Sequence, residues 1–131
     1  MKKKILALVL ALSVLLTGCG HTLFADRVTA DSALYTRREM QRAMDVVERK
    51  FRRNFHGCIL LELRYDEEKT LRETENRAED GETGEIIVLS SKFYVIRSDG
   101  SLTPGMTYEG WSWELEKNAL GGWTLTNWGY G

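Results

Sequence analysis

One segment of helical period, followed only by segments of period two, constrains this chain most. Met40, Ala43, Met44, Val47 and Phe51 fall at i, i+3, i+4, i+7 and i+11 and form one apolar face, while Arg42, Glu48, Arg49 and Arg52 point elsewhere. Thr36-Arg37-Arg38-Glu39 reads as a capping box, the threonine hydroxyl taking a free backbone N–H and Glu39 reaching back to the cap. Asn54 and Gly57 supply the stop, because both tolerate the left-handed backbone of a helix end. A helix with one greasy face must lie on something, and the rest of the chain offers strands.

Cys58 to Tyr65 alternates, with Ile59, Leu61, Leu63 and Tyr65 expected on one face and Glu62 and Arg64 on the other. Glu85 to Ile96 is rich in β-branched and aromatic residues and reads as a second strand. Met106 to Lys117 alternates Trp111, Trp113 and Leu115 against Gly110, Ser112, Glu114 and Glu116, and Gly121-Gly122 separates it from Trp123 to Trp128, which predicts a hairpin. Between the first two strands, Asp66 to Gly84 holds eight acids and three bases with only Leu71 and Ala78 apolar, so it is expected to be a long mobile loop. The order predicts an α+β domain over residues 35–131, one N-terminal amphipathic helix packed on a four-stranded antiparallel sheet.

The chain before this domain carries an address. Lys2-Lys3-Lys4 precedes Ile5 to Leu16, an apolar run broken only by Ser13. Such a run rises only about 18 Å as a helix against a hydrocarbon core of about 30 Å, so it reads as a signal rather than a span. Leu16-Thr17-Gly18-Cys19 reads as a lipobox, with Gly18 the small residue before the cut and Cys19 the residue to be joined to diacylglyceryl. Residues 1–18 are therefore expected to be a lipoprotein signal peptide, and 19–34, small and polar without a period, a lipidated cysteine and flexible tether. Two acyl chains hold a protein stably, which places the domain on the extracytoplasmic face of the cell membrane.

Removing residues 1–18 takes three lysines and no acid, moving the net charge from −1 to −4. With a mildly acidic balance and no basic stripe, nucleic acid is not an expected partner. Cys58 is then the only thiol left, so no intramolecular disulfide forms and the core has to be hydrophobic.

The helix opening at Thr36, the Tyr65-Asp66-Glu67-Glu68 corner, Tyr108-Glu109-Gly110-Trp111-Ser112-Trp113 and Gly121-Gly122-Trp123-Thr124-Leu125-Thr126-Asn127-Trp128-Gly129-Tyr130 resemble small lipoproteins of Gram-positive bacteria that carry a domain of unknown function. The resemblance covers Thr36 to Tyr130, and its C-terminal tryptophan and glycine pattern is the distinctive part. It implies a cystatin-like architecture, close to nuclear transport factor 2-like domains, with a helix cradled in a curved sheet. It implies no activity, since a shared fold does not supply one.

Tyr108, Trp111, Trp113, Trp123, Trp128 and Tyr130 crowd into the last part of the chain, and rings arranged on a sheet can stack on sugars or line an apolar pocket. The first five are the candidate binding residues. Against that, Trp111 and Trp113 share a strand face with Leu115, as core residues do, and a regular strand puts Trp128 on the opposite face from Trp123. Asn54, His56 and Cys58 carry the residue types of a cysteine hydrolase, but their closeness in sequence argues for a packed cysteine and a helix-end histidine.

The carboxylates of 66–84 lack the alternating spacing of a calcium loop, and two histidines with one free cysteine make zinc a poor expectation, so neither metal nor cofactor is expected. Asp45, Glu62 and Glu114 are the acids that a nuclear transport factor 2-like enzyme could use in its sheet, yet nothing in the sequence unites them, and no catalytic residue is assigned.

The leading expectation is a non-catalytic, lipid-anchored domain that binds a small molecule, a wall component or an envelope protein. An enzyme with an acid/base site in the sheet's concavity is the alternative, and a structural or inhibitory partner docking through 66–84 is a third. A cystatin-type protease inhibitor is disfavoured, because the Gln-x-Val-x-Gly loop is missing and Pro104 is the only proline.

Overall fold

The helix predicted after Thr36 is α1 (Arg37–Asn54). Its capping box is complete: Thr36 Oγ1 accepts the Glu39 N–H at 3.2 Å, and Glu39 Oε2 accepts the Thr36 N–H at 2.8 Å. That backbone bond holds the Glu39 carboxyl below its usual range. Met40, Ala43, Met44, Val47 and Phe51 are all fully buried, as the spacing requires. The computed structural model describes residues 2–8, 20–98 and 100–130; residues 2–8 are helical with exposed side chains. The stretch read as a lipobox, with Cys19 as the residue expected to carry lipid, lies outside the described residues.

The remaining elements are β1 (Asp26–Val28), β2 (Cys58–Tyr65), α2 (Glu67–Glu79), β3 (Ile86–Val95), β4 (Thr107–Lys117) and β5 (Trp123–Tyr130). The strands form one sheet in the order β1-β2-β3-β4-β5. The α+β class is as expected, but the sheet has five strands rather than four and is mixed rather than antiparallel. β2 to β5 pair antiparallel, while β1 lies parallel to β2 with Arg27 opposite Leu63. The added strand comes from the stretch read as a tether, and three residues are too few to show a period. Its attachment is made by Arg27, whose guanidinium bonds Asp45 Oδ1 of α1 at 2.7 Å and the carboxylate of Glu48. Glu48 in turn raises the Arg27 pKa.

The acidic stretch is also corrected, because most of it is α2 rather than a loop. Asp66 caps it by accepting the Lys69 N–H at 3.0 Å, and Glu67 and Glu68 in the first turn suit the helix dipole. Thr70 is the one fully buried contact of this helix, and its hydroxyl accepts the Val88 N–H at 3.0 Å. Lys69 Nζ reaches Ser112 Oγ at 2.7 Å, and Arg77 pairs with Glu116. A helix that docks through polar bonds leaves no apolar stripe in the sequence.

Three bulges set which side chains face α1. In β2 the register shifts between Leu60 and Glu62, so Cys58 and Leu60 share the core face with Leu63 and Tyr65, and Ile59 and Leu61 do not. In β4 the step from Trp111 to Tyr108 faces only Ser91 to Phe93, with Gly110 at φ 71° providing the left-handed residue. In β5, Thr126 and Asn127 oppose Glu114, and Trp113 then pairs with Trp128. The core between α1 and the sheet is filled by Leu89, Phe93, Trp113 and Leu115, none of which is exposed. Among the described residues, no helix is long and apolar enough to cross a membrane.

Candidate functional site

The last turns of α1 lie beside β5, and the groove between them encloses about 390 Å³. Its floor is Trp123, Leu125 and Trp128; its wall is Val46, Arg49, Lys50, Arg53 and Asn54. The bulge at Thr126 makes this floor, because the extra residue turns Trp128 back to the face of Leu125 and Trp123. The regular alternation that separated Trp123 from Trp128 is therefore corrected. Trp123 is 6% exposed and meets the Tyr35 ring edge-on at 5.3 Å, whereas Trp128 is 43% exposed with Lys50 Nζ 4.5 Å from its ring centroid.

The wall is cationic. Arg49 and Arg53 are exposed, and neither they nor Lys50 has a carboxylate partner among the described residues. Their place suits the helix, since positive charge near the last turn offsets the partial negative charge of its free carbonyls. An indole beside unpaired guanidinium groups can take an anionic group together with an apolar or planar one.

The other candidate rings are elsewhere. Trp113 is fully buried in the core, with its indole Nε1 donating to Ser91 Oγ at 2.8 Å. Tyr108 and Trp111 are half-buried at the far end of β4, where Tyr108 stacks on Phe93 at 5.3 Å and Trp111 meets Tyr130 at 5.2 Å. Trp111 does share the core-facing side with Trp113 and Leu115, as expected. The structure thus unites Trp123 and Trp128 and leaves Tyr108, Trp111 and Trp113 outside the groove. The sequence reading missed the basic wall, for which Arg49-Lys50-Phe51-Arg52-Arg53 was the available signal.

A second cavity, about 420 Å³, lies on the opposite face and is lined by Glu62, Arg64, Asp66, Lys69, Lys92 and Glu109. Most of its charges are taken up within the protein: Arg64 pairs with Glu62 at 3.1 Å, Lys92 with Glu109 at 3.3 Å, Asp66 accepts Ser90 Oγ at 2.8 Å, and Lys69 donates to Ser112 Oγ at 2.7 Å. Exposed pairs of this kind form a solvated face.

The catalytic candidates stay apart. Cys58 is fully buried, burial pushes its thiol up to about 11, and its Sγ faces the backbone oxygen of His56 at 3.7 Å. A thiol in that state is a poor nucleophile. Asp45 is held by Arg27, Glu62 by Arg64, and Glu114 alternates away from Trp113 and Leu115. No group of His, Cys, Asp and Glu suited to a metal occurs among the described residues. No family model matches the chain, and neither the curated proteins nor the solved structures provide a match.

Proposed function

We propose that this chain is a lipid-anchored, extracytoplasmic and non-catalytic domain that binds an anionic component of the cell envelope in the groove between α1 and β5. The observation that carries the reading is the set of unpaired cations Arg49, Lys50 and Arg53 beside the exposed indole of Trp128. The anchor is read from Lys2-Lys3-Lys4, the apolar run and Leu16-Thr17-Gly18-Cys19. A cystatin-like architecture belongs to the same proposal, supported by α1 packed across the antiparallel run β2 to β5; β1 and α2 are then additions to it. The resemblance to small Gram-positive lipoproteins fits the anchor and this architecture together. The enzymatic alternative has less support, because the carboxylates it would use point to separate places.

Two measurements test it. Lipid labelling of the full chain should be lost in Cys19→Ala, and normal labelling of that variant would refute the anchor. A thermal-shift screen of the mature chain with glycerol phosphate, acidic wall-sugar fragments and neutral sugars should give dose-dependent stabilisation with anionic compounds, because a ligand of the native state raises its melting temperature. The shift should vanish in Arg49→Gln/Arg53→Gln. Equal shifts in that variant would place the binding elsewhere.

A further inference from the structure

Gly20, the residue after Cys19, is fastened to the C-terminal end of α1. The Gly20 N–H donates to Arg52 O at 3.1 Å, and a Cβ at Gly20 would lie 2.3 Å from Phe51 O, so only glycine allows this approach to the helix end. Next to it, the His21 N–H donates to Cys58 O at 2.9 Å and the Leu60 N–H donates to His21 O at 2.8 Å. Adjacent Cα atoms are about 3.8 Å apart, so a lipid carried by Cys19 starts within one residue of the C-terminal end of α1.

That end is also where the basic residues gather. Arg49, Arg52 and Arg53 are exposed, and Arg52 Nη1 donates to Thr22 Oγ1 at 2.9 Å, which fixes the turn after His21 beside it. This turn carries Leu23 at 76% exposure and Phe24 at 45%, close to the anchor in sequence and held to the same helix end. On β5, the opposite edge strand of the sheet, Trp128 has Lys50 Nζ 4.5 Å from its ring centroid. The acidic α2 packs on the other face of the sheet, where Thr70 and Lys69 meet Val88 and Ser112, and Asp45, the exposed acid one turn before Arg49, is taken up by Arg27.

We propose that the C-terminal end of α1 is a membrane-docking face, on which Arg49, Lys50, Arg52 and Arg53 bind anionic lipid headgroups while Trp128, Leu23 and Phe24 enter the interfacial layer. The proposal rests on the lipid-anchor reading and names the anionic component of the groove as the headgroup of the membrane that holds the anchor. Cations are drawn to an anionic leaflet within a Debye length, and indole prefers the level of the headgroups. The acidic α2 is then directed away from a surface of its own sign. The domain stands on the bilayer in one orientation, with the face that carries α2 turned outward.

The test uses the mature chain purified from membranes and placed in vesicles of phosphatidylcholine, or of phosphatidylcholine mixed with phosphatidylglycerol, each carrying a brominated lipid as quencher. Mass measurement first reports the adduct on Cys19. Tryptophan quenching is expected in the anionic vesicles, weaker in the neutral ones, reduced by salt, and lost in Trp128→Phe. Arg49→Gln/Arg53→Gln should reduce it and Arg49→Lys/Arg53→Lys should restore it, since the interaction is with charge. Quenching that is equal in both vesicles, or absent in both with the adduct present, overturns the docking face and leaves the anchor standing. A chain without the adduct overturns the anchor and the docking face together.

Discussion

The indole Nε1 of Trp113 donates to Ser91 Oγ across 2.8 Å, between adjacent strands in the middle of the core. Ser91 is only 4% exposed, and its hydroxyl donates onward to Trp111 O at 3.3 Å. Buried polar groups are stabilising only in such satisfied arrangements. Ser91→Ala should therefore leave the indole N–H unpaired and cost about 1–3 kcal/mol in denaturant unfolding. Adding Trp113→Phe to Ser91→Ala should cost less than the two single losses summed, because neither partner is then stranded. Strict additivity in this cycle would show that the bond carries nothing.

Arg27 joins β1 to α1, and its removal exposes what it neutralises. The Glu48 side chain is only 11% exposed, while Arg27 itself is 31% exposed, so the cost of breaking the pair is less than for a dry one. Arg27→Ala should lower stability by about 1–3 kcal/mol and speed amide exchange in β1. Glu48→Gln placed on top should recover part of the loss. No recovery would assign the effect to lost alkyl packing instead.

Gly20 is the other fastening of the N-terminal chain. Gly20→Ala brings a methyl group against the backbone oxygens of Phe51 and Phe55, and overpacking of this kind costs about 1–3 kcal/mol. Relief should come by local release, so the His21 and Leu60 amides should exchange faster while those of Val47 and Phe51 keep their protection. Unchanged protection at His21 would mean that the close approach is absent in solution.

Stability should fall at alkaline pH. Burial pushes Tyr35 and Tyr65 up to about 12 and Cys58 up to about 11, from ordinary values of 10.0 and 9.0. Since the unfolded chain gives up these protons first, the protonated forms favour the native state. Their contribution is complete below pH 9 and is lost as the pH rises from 9 to about 12. Urea midpoints followed across that range should drop, with tyrosinate absorbance appearing as unfolding proceeds. Tyr65→Phe should flatten the drop. A constant midpoint up to pH 12 would contradict the burial of both phenols.

Local periodicity was enough for α1, because its cap and its apolar face are written within one stretch: Thr36 with Glu39, then Met40 to Phe51. The four segments read as strands were legible from equally local signals, and so was the core role of Trp113 and Leu115. α2 was not, since it docks through Thr70, Lys69 and Arg77 rather than an apolar stripe, and β1 was not, since three residues show no period. The groove depends on something further still. A strand's alternation assigns faces only until a bulge intervenes, and a bulge is decided by how one strand pairs with its neighbour. Thus the sequence alone determined an amphipathic helix on a sheet, while only the tertiary pairing of β5 with β4, which opposes Thr126 and Asn127 to the single Glu114, brought Trp128 beside Lys50 and Arg53.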